Sequence, residues 1–236
     1  MRTQVSIRDI IEAVVTAMKS SGAISSVSES GGTWTIVTSD TGNLKDTFKV
    51  LIGSNYYRVS NVDTTFKTSF QVVTSDTITT AMTWEMYIDF IFESPINAAN
   101  EIDLKGLNQK GKEKFDLIWL FNNIDEIDPG ENNRIDKEAT ITVSMVTNKP
   151  DNLTSDEIKT QRFETRLYPL YNLFIKKLKL SSSIILNADE NLNTTKHDWY
   201  NYGALKNNKN VFNEPTCAIE FKTTIKVKKV FTNNIC

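Results

Sequence analysis

The apolar positions between residues 159 and 180 recur with the spacing of an α-helix. They form one stripe, which consists of Phe163, Leu167, Leu170, Tyr171, Phe174 and Leu178. Such a stripe is typical of a helix that lies flat on a sheet. The segment 154–157, TSDE, is a capping box that predicts the helix start. Pro169 lacks a backbone N–H, so it predicts a kink, or two helices with the second starting near Tyr168.

A second helical pattern occupies residues 6–20. Ser6 is the predicted N-cap, and Gly22 is the predicted end. The apolar face is made of Ile7, Ile10, Ile11, Val14, Val15 and Met18. The predicted helices at 6–20 and 159–180 are therefore both amphipathic, and each has one apolar face that can pack against a core.

Three longer segments alternate between apolar and polar residues, as strands do. They are residues 83–92, 138–147 and 218–231. Residues 114–122, KFDLIWLFN, form a shorter apolar run that predicts a central strand. In the last strand the lysines Lys222, Lys226 and Lys228 share the face opposite to Ile219, Phe221, Ile225 and Val227. Lysines on a solvent face are typical of an edge strand, which is the prediction for 218–231.

Residues 25–80 have a different character, rich in Ser, Thr, Gly and Asn. Short β-prone runs at 34–38, 47–52, 56–59 and 69–74 are separated by turn-prone pieces. This predicts a small antiparallel barrel or meander, inserted between the first helix and the main sheet.

The order of these elements predicts an α+β fold: a mainly antiparallel sheet with two helices on one face, plus a small β-rich insert. The core domain would comprise residues 1–24 and 81–236, and the inserted subdomain residues 25–80. Three polar segments are predicted as loops: an arm at 93–113, an acidic surface loop at 123–137 and an aromatic-rich loop at 187–213.

Composition narrows the function classes. The chain of 236 residues has a net charge of −2 and a single histidine. The charge argues against a protein that coats nucleic acid. Two cysteines, Cys217 and Cys236, make neither a disulfide framework nor a CxxC metal pair. We expect no signal peptide, and no apolar run in the sequence is long enough to cross a membrane.

No motif for chemistry stands out either. Phosphate-loop, dinucleotide and hydrolase-elbow patterns are missing from the sequence, and the acidic loop lacks the ligand order of a calcium site. We therefore expect no catalytic residue, no cofactor and no metal site.

Two groups of residues are candidates for a subunit interface. Trp199, Tyr200 and Tyr202 form an aromatic cluster of the kind that is enriched at interface centres, although Trp199 could instead close the domain's own core. Lys222, Lys226 and Lys228 form a basic face. It could contact DNA or an acidic neighbour, or be a solvated strand face.

A family resemblance lies in the succession KFDLIWLFN (114–122), ATITVSMVT (139–147) and DEIKTQRFETRLYPLYNLFIKKLKLS (156–181). It resembles neck and tail proteins of tailed bacteriophages of Bacteroidetes, including crAss-like phages. The order of helix, strands, helix and strand also looks like the tail-terminator fold. The resemblance covers about residues 110–185 and the first helix, and excludes the insert at 25–80 and the loop at 187–213.

The resemblance implies a structural virion protein without catalysis: a tail-terminator or head–tail connector subunit. Such a protein is made in the host bacterial cytoplasm and then resides in the virion neck or tail. It assembles as a homo-oligomeric ring, with six subunits as the expected number, and contacts neighbouring neck and tail proteins. Genomic DNA could pass through the ring. A closed ring requires two different patches that meet between neighbours.

Alternative interpretations stay open. One is a baseplate or adaptor subunit. Another is a carbohydrate-binding module in which Trp34, Tyr56 and Tyr57 of the insert stack on sugars. An enzyme would need a clustered carboxylate pair, such as those of glycan hydrolysis.

Overall fold

The computed structural model of the chain describes residues 6–94, 97–98, 116–128, 135–148, 153–186, 192–198 and 216–228. The elements up to residue 93 are α1 (Ile7–Met18), β1 (Ser21–Ser30), β2 (Thr33–Thr38), β3 (Lys49–Ile52), β4 (Asn55–Ser60), β5 (Ser69–Val73), β6 (Thr83–Tyr87) and β7 (Asp89–Glu93). The later strands are β8 (Leu117–Phe121), β9 (Asp125–Ile127), β10 (Ile135–Asn148), β11 (Ile184–Ile185), β12 (Asn193–His197) and β13 (Thr216–Lys228). The predicted α+β class, mainly antiparallel sheet with helices, is confirmed.

The first six strands close into a barrel with the order β1-β2-β5-β4-β3-β6. The four predicted strand runs correspond to β2, β3, β4 and β5, but the barrel also recruits β1 and β6. It therefore extends beyond the predicted insert on both sides. The predicted strand 83–92 is broken at Ile88, so that β6 belongs to the barrel and β7 to the second sheet.

The start of β1 corrects a further expectation. Helix α1 ends at Met18, where the extended residue Lys19 caps it, and Gly22 lies inside β1 rather than at the helix end. A Cβ on Gly22 would stand 2.9 Å from Thr38 Oγ1 and 3.1 Å from Trp84 Nε1. Glycine is needed here because the two barrel side chains approach the backbone.

The second sheet has seven strands, with the order β11-β13-β10-β8-β7, and with β12 on β13 and β9 on β10. The predicted central position of the 114–122 run is confirmed, since β8 lies between β10 and β7. The prediction of an edge strand at 218–231 is wrong: β13 has β10 on one side and β11 and β12 on the other. The alternation of lysines correctly predicts that one face of β13 is polar. It does not predict which strands are hydrogen-bonded to β13, because strand pairing uses backbone groups that every residue has.

One long helix follows the sheet strands. It begins with α2 (Ser155–Ile158), continues through a π-helical segment (Lys159–Leu167) and ends with α3 (Tyr168–Leu180). The predicted capping box is present, because Thr154 and Glu157 exchange hydrogen bonds. The predicted disturbance at Pro169 takes the form of a change of helix type, with the final α-helix starting at Tyr168.

The barrel, the helices and one face of the sheet share a single hydrophobic core. The core includes Ile36 and Phe70 from the barrel, Ile141 and Phe221 from the sheet, and Phe174 from α3. A second apolar cluster lies on the opposite face and contains Trp119, stacked on Phe121 at 4.0 Å. The barrel and the sheet therefore pack together around this core, and the barrel is not a separate domain with a core of its own.

Candidate functional site

The residues predicted for an interface fall into two groups. Trp199, Tyr200 and Tyr202 lie outside the described residues. Lys222, Lys226 and Lys228 alternate along β13 on one face of the sheet, where Lys222 and Lys228 are exposed. Lys226 is partly buried and lies 3.4 Å from a carboxylate oxygen of Glu138, its cross-strand neighbour on β10.

Within the described part of the chain, a cleft lies between the long helix and the barrel. We call it the helix–barrel cleft. It has two adjoining lobes of about 450 and 270 Å³. The larger lobe is lined by Gly42, Asn43, Lys45, Lys67, Glu164, Tyr168, Pro169, Asn172, Leu173 and Lys176. The smaller lobe is lined by Lys45, Asp46, Thr47, Val62, Thr64, Glu164, Thr165 and Pro169.

The helical wall of the cleft is built around Pro169. In a regular α-helix the carbonyl of Thr165 would accept a bond from the amide of residue 169, and proline has no N–H to donate. The hydroxyl group of Thr47, from the barrel, donates to this carbonyl instead at 2.7 Å. The π-helical segment ends directly before Tyr168, and such departures from α geometry are frequent at functional sites.

The barrel wall carries unusual backbone conformations. Among the described residues, the non-glycine residues with positive φ are Thr47 at 71°, Asn61 at 48° and Lys67 at 56°. Thr47 and Lys67 line the cleft, and Asn61 directly precedes the lining residue Val62. Residues held in such conformations cluster at binding sites and need surrounding contacts to persist.

The loop at the rim supplies those contacts. The carboxylate of Asp63 accepts bonds from the backbone amides of Thr65 at 2.9 Å, Phe66 at 3.1 Å and Thr68 at 3.4 Å. These bonds, led by the one from Phe66, hold the pKa of Asp63 below its usual value. The ordered loop leaves the Phe66 side chain 79% exposed.

An ion pair lies next to the cleft and joins the barrel to the sheet. Arg58 of β4 donates to the carbonyl of Thr47 at 2.7 Å and to the carboxylate of Asp116 at 2.9 Å. The other oxygen of Asp116 accepts from the Thr147 hydroxyl of β10 at 2.5 Å. The side chains of Arg58 and Asp116 are only 21% and 13% exposed.

The ionisation states in this region are ordinary at neutral pH. Burial raises the pKa of Asp116, but the positive charge of Arg58 and further cations, together with the Thr147 hydroxyl, lower it more, so the carboxyl stays ionised. Burial, with a hydrogen bond to Asp89 at 2.7 Å, raises the pKa of Tyr87, whose phenol stays neutral. Neither group is poised to exchange a proton near pH 7.

The charged side chains of the cleft are of both signs. In the larger lobe three exposed lysines, Lys45, Lys67 and Lys176, are accompanied by Glu164, and the smaller lobe adds the exposed carboxylate of Asp46. Pro169 and Leu173 add apolar surface between them. Within the described part of the chain, no group of three or more His, Cys, Asp or Glu side chains could hold a metal ion.

The aromatic residues considered for sugar stacking do not form one platform. Trp34 and Tyr57 pack partly buried against the core, and the Tyr57 hydroxyl donates to Asp76. Tyr56, on the opposite face of β4, packs edge-on against Tyr87 with ring centroids 4.5 Å apart. Sugar stacking requires rings that are open on a common side, which this arrangement does not offer.

The cleft was missed by sequence reasoning. One feature of the sequence, Pro169 inside an amphipathic helix, indicated an irregularity in the helical wall of the cleft. Nothing in the sequence indicated which barrel loop lies opposite that wall. Comparisons with protein-family models, with curated proteins and with solved structures found no match. The helices in the described ranges include none that is long and apolar enough to cross a membrane.

Proposed function

We propose that this protein is a structural virion component, a subunit of a ring at the neck or tail of a phage, of the tail-terminator or head–tail connector type. It acts by assembly and not by catalysis. Its partners are further copies of itself and the adjoining neck and tail proteins. A ring of such copies would allow genomic DNA to pass through it.

The observation that supports this proposal best is the rigid union of barrel and sheet. A ring subunit must hold a fixed angle between its contact surfaces, because small errors would add up around the ring and prevent closure. Here a continuous core runs through both parts, the Arg58–Asp116 pair crosses their junction, and the Thr47–Thr165 bond joins the barrel to the long helix. Such a unit keeps its contact surfaces at a fixed angle. It does not favour the hinge motion by which many enzymes close their active sites.

The surfaces also have the variety that a ring requires. The lysine face belongs to strand β13 of the sheet, whereas the helix–barrel cleft is lined by the long helix and by loops of the barrel. A subunit with two unlike patches forms heterologous contacts, which close into a ring when the rotation between neighbours is suitable.

Native mass spectrometry and negative-stain microscopy test the proposal. We expect a defined closed oligomer, either of the chain alone at high concentration or after its neck or tail partners are added. A chain that stays monomeric under both conditions would contradict the proposal. A baseplate or adaptor role would instead give an oligomer that binds other virion proteins without lying at the tail end or neck.

A further inference from the structure

Strand β1 of the barrel has an open edge along its second half. Residues 21–23 pair with β6 on one side, and a bulge between Ile24 and Ser26 follows. Residues 26–30 pair with β2 alone, so their other edge meets no strand in the described part of the chain. This part of β1 is exposed apart from Val27, which is partly buried. An open edge of this kind can pair with a strand from another chain.

The turn between β1 and β2 determines which backbone groups lie along the open edge. It is a loop of two glycines with φ of 59° and 80°, as a type I′ hairpin turn requires. The residues that flank such a loop, Ser30 and Thr33, form a hydrogen-bonded pair. Because the bonding direction alternates along a strand, the N–H and C=O groups of Val27 and Glu29 point away from β2. These groups are the ones to which an added strand would bond.

The open edge lacks the residues with which proteins usually block strand addition. Neither lysine nor proline occurs in residues 21–30, and the bulge lies before the open part. The one charged residue, Glu29, accepts a hydrogen bond from the amide of Gly32 at 2.6 Å, so its carboxylate is bound at the turn. Ser26 and Ser28 share one face of the strand. A hydroxyl group both donates and accepts, so a row of serines is complementary to an identical row.

We propose that β1 of a second copy of this chain pairs with this edge, antiparallel to it and related by a two-fold axis at Val27. In this register Val27 lies opposite the same residue of the second copy, Ser26 opposite Ser28, and Glu29 opposite Ser25. Like charges therefore do not meet, and the two partly buried valines add an apolar contact. The pairing joins the two barrels through one continuous sheet.

Other occupants fit this edge less well. Nucleic acid needs cationic side chains for its phosphates, and β1 contains neither lysine nor arginine. An extended segment of another protein could bond to the same backbone groups, but only a second β1 brings the matching row of serines. The contact is isologous, so it differs from the heterologous contacts of the proposed ring and does not rest on that proposal.

Charged side chains on the open edge give the first test. The lysine variant carries Ser26→Lys and Ser28→Lys, and the glutamate variant carries Ser26→Glu and Ser28→Glu. Both positions are exposed, so the fold should be kept. In each variant alone, like charges lie directly opposite at two places, and we expect self-association to weaken at least about tenfold. A 1:1 mixture of the two should associate again, because opposite charges then meet.

Sedimentation velocity and native mass spectrometry of the full chain over a range of concentrations measure the association. The matched control carries Ser54→Lys and Ser182→Lys, which make the same charge change at two exposed serines outside β1. It should associate like the native chain.

Disulfide cross-linking tests the register of the pairing. In a Cys236→Ser background, one chain carries Ser26→Cys and another carries Ser28→Cys. These residues lie directly opposite in the proposed pairing, at the roughly 4.5 Å between Cα atoms that a disulfide can span. Within either variant alone the two cysteines would be about 8 Å apart, which is too far. Oxidation of the mixture should therefore give a cross-linked dimer of the two variants in preference to a dimer of either one.

The results separate this inference from the proposed ring. A native chain that forms a closed ring, with the lysine variant assembling equally well, overturns the inference and leaves the ring. A two-fold dimer that is lost in the lysine variant, without any ring, supports the inference and contradicts the ring. If the native chain does not self-associate, and the lysine variant loses binding to a virion partner, that partner's strand is the occupant and the inference is overturned. A mixture of cysteine variants that cross-links no better than either variant alone also overturns it.

Discussion

The Thr47 hydroxyl donates a 2.7 Å hydrogen bond to the carbonyl oxygen of Thr165, which lies four residues before Pro169 in the long helix. Thr47 belongs to the barrel, so a residue from one part of the fold satisfies a carbonyl that proline leaves without its usual donor in the other. This relationship also fixes one wall of the helix–barrel cleft against the other.

Replacing Thr47 by valine should reveal this role. Valine is also β-branched, so it keeps the shape of the side chain and its backbone strain while removing the donor. Leaving a partly buried carbonyl without its bond costs about 1–3 kcal/mol of the free energy of unfolding. Urea unfolding of Thr47→Val measures the loss.

The matched control for that variant is a double-mutant cycle with Pro169→Ala. Alanine restores an N–H that can reach Thr165, so the cost of Thr47→Val should fall to about 0.5 kcal/mol or less in that background. An equal cost in both backgrounds would show that the hydroxyl does not act as the substitute donor.

Asp116 should make stability depend on pH. Its pKa is lowered in the folded protein, so its contribution is present above the unfolded value, about 3.9, and is lost as the pH falls through the folded pKa. We therefore expect Asp116→Asn to destabilise the protein by about 3 kcal/mol at pH 7, because Arg58 loses its partner. The difference from the native chain should shrink below about pH 4.

Urea unfolding at several pH values checks this expectation, with Glu85→Gln as the control at an exposed carboxylate. The control should follow the native chain within about 0.5 kcal/mol throughout. A constant difference between Asp116→Asn and the native chain from pH 7 to pH 3 would contradict the role of the ionised carboxylate.

Gly22→Ala should disturb the barrel at one hydrogen bond. The added Cβ would approach Thr38 Oγ1 to 2.9 Å, and this oxygen accepts from Trp84 Nε1 at 3.0 Å. Overpacking of this kind costs about 1–3 kcal/mol. Thermal unfolding gives the loss, and the fluorescence of the buried Trp84 should shift. Ser21→Ala, at the exposed neighbouring position, should change stability by less than about 0.5 kcal/mol.

The lysine face of β13 should act in assembly and not in folding. Lys222 and Lys228 are exposed, so changing both to glutamate should leave the thermal midpoint nearly unchanged. Ring formation or DNA binding should weaken at least about tenfold if this face meets an acidic neighbour or DNA. The comparison is with Lys159→Glu and Lys179→Glu, which carry the same charge change on the long helix. If the two substitutions on β13 and the two on the long helix weaken association equally, the lysine face of β13 has no special role in assembly.

Much of the fold follows from local pattern. The stripe from Phe163 to Leu178 and the alternation of Ala139, Ile141, Val143 and Met145 correctly identify buried faces. The TSDE capping box correctly places the start of the long helix. These signals are readable because hydrophobic burial imposes the period of the element on the sequence.

Other features escape local pattern. In β1 only Ile24 is buried, so the strand lacks alternation and is held by its neighbours β2 and β6. The break at Ile88 sends β6 and β7 into different sheets, and the buried positions change from Trp84 and Met86 in β6 to Asp89 and Ile91 in β7. The apolar–polar pattern does not show this change, because Asp89 is polar and residues 90–92 are all apolar.

The sequence by itself determined the amphipathic helices, the buried strand faces and the position of the helix disturbance at Pro169, because each depends on residues that are close along the chain. Only the tertiary structure decided that Thr47 reaches Thr165, that Arg58 meets Asp116, and that three lysines from separate segments border one cleft. These pairs are brought together by the common core of barrel and sheet, and contacts between distant segments leave no periodic signal for a single sequence to display.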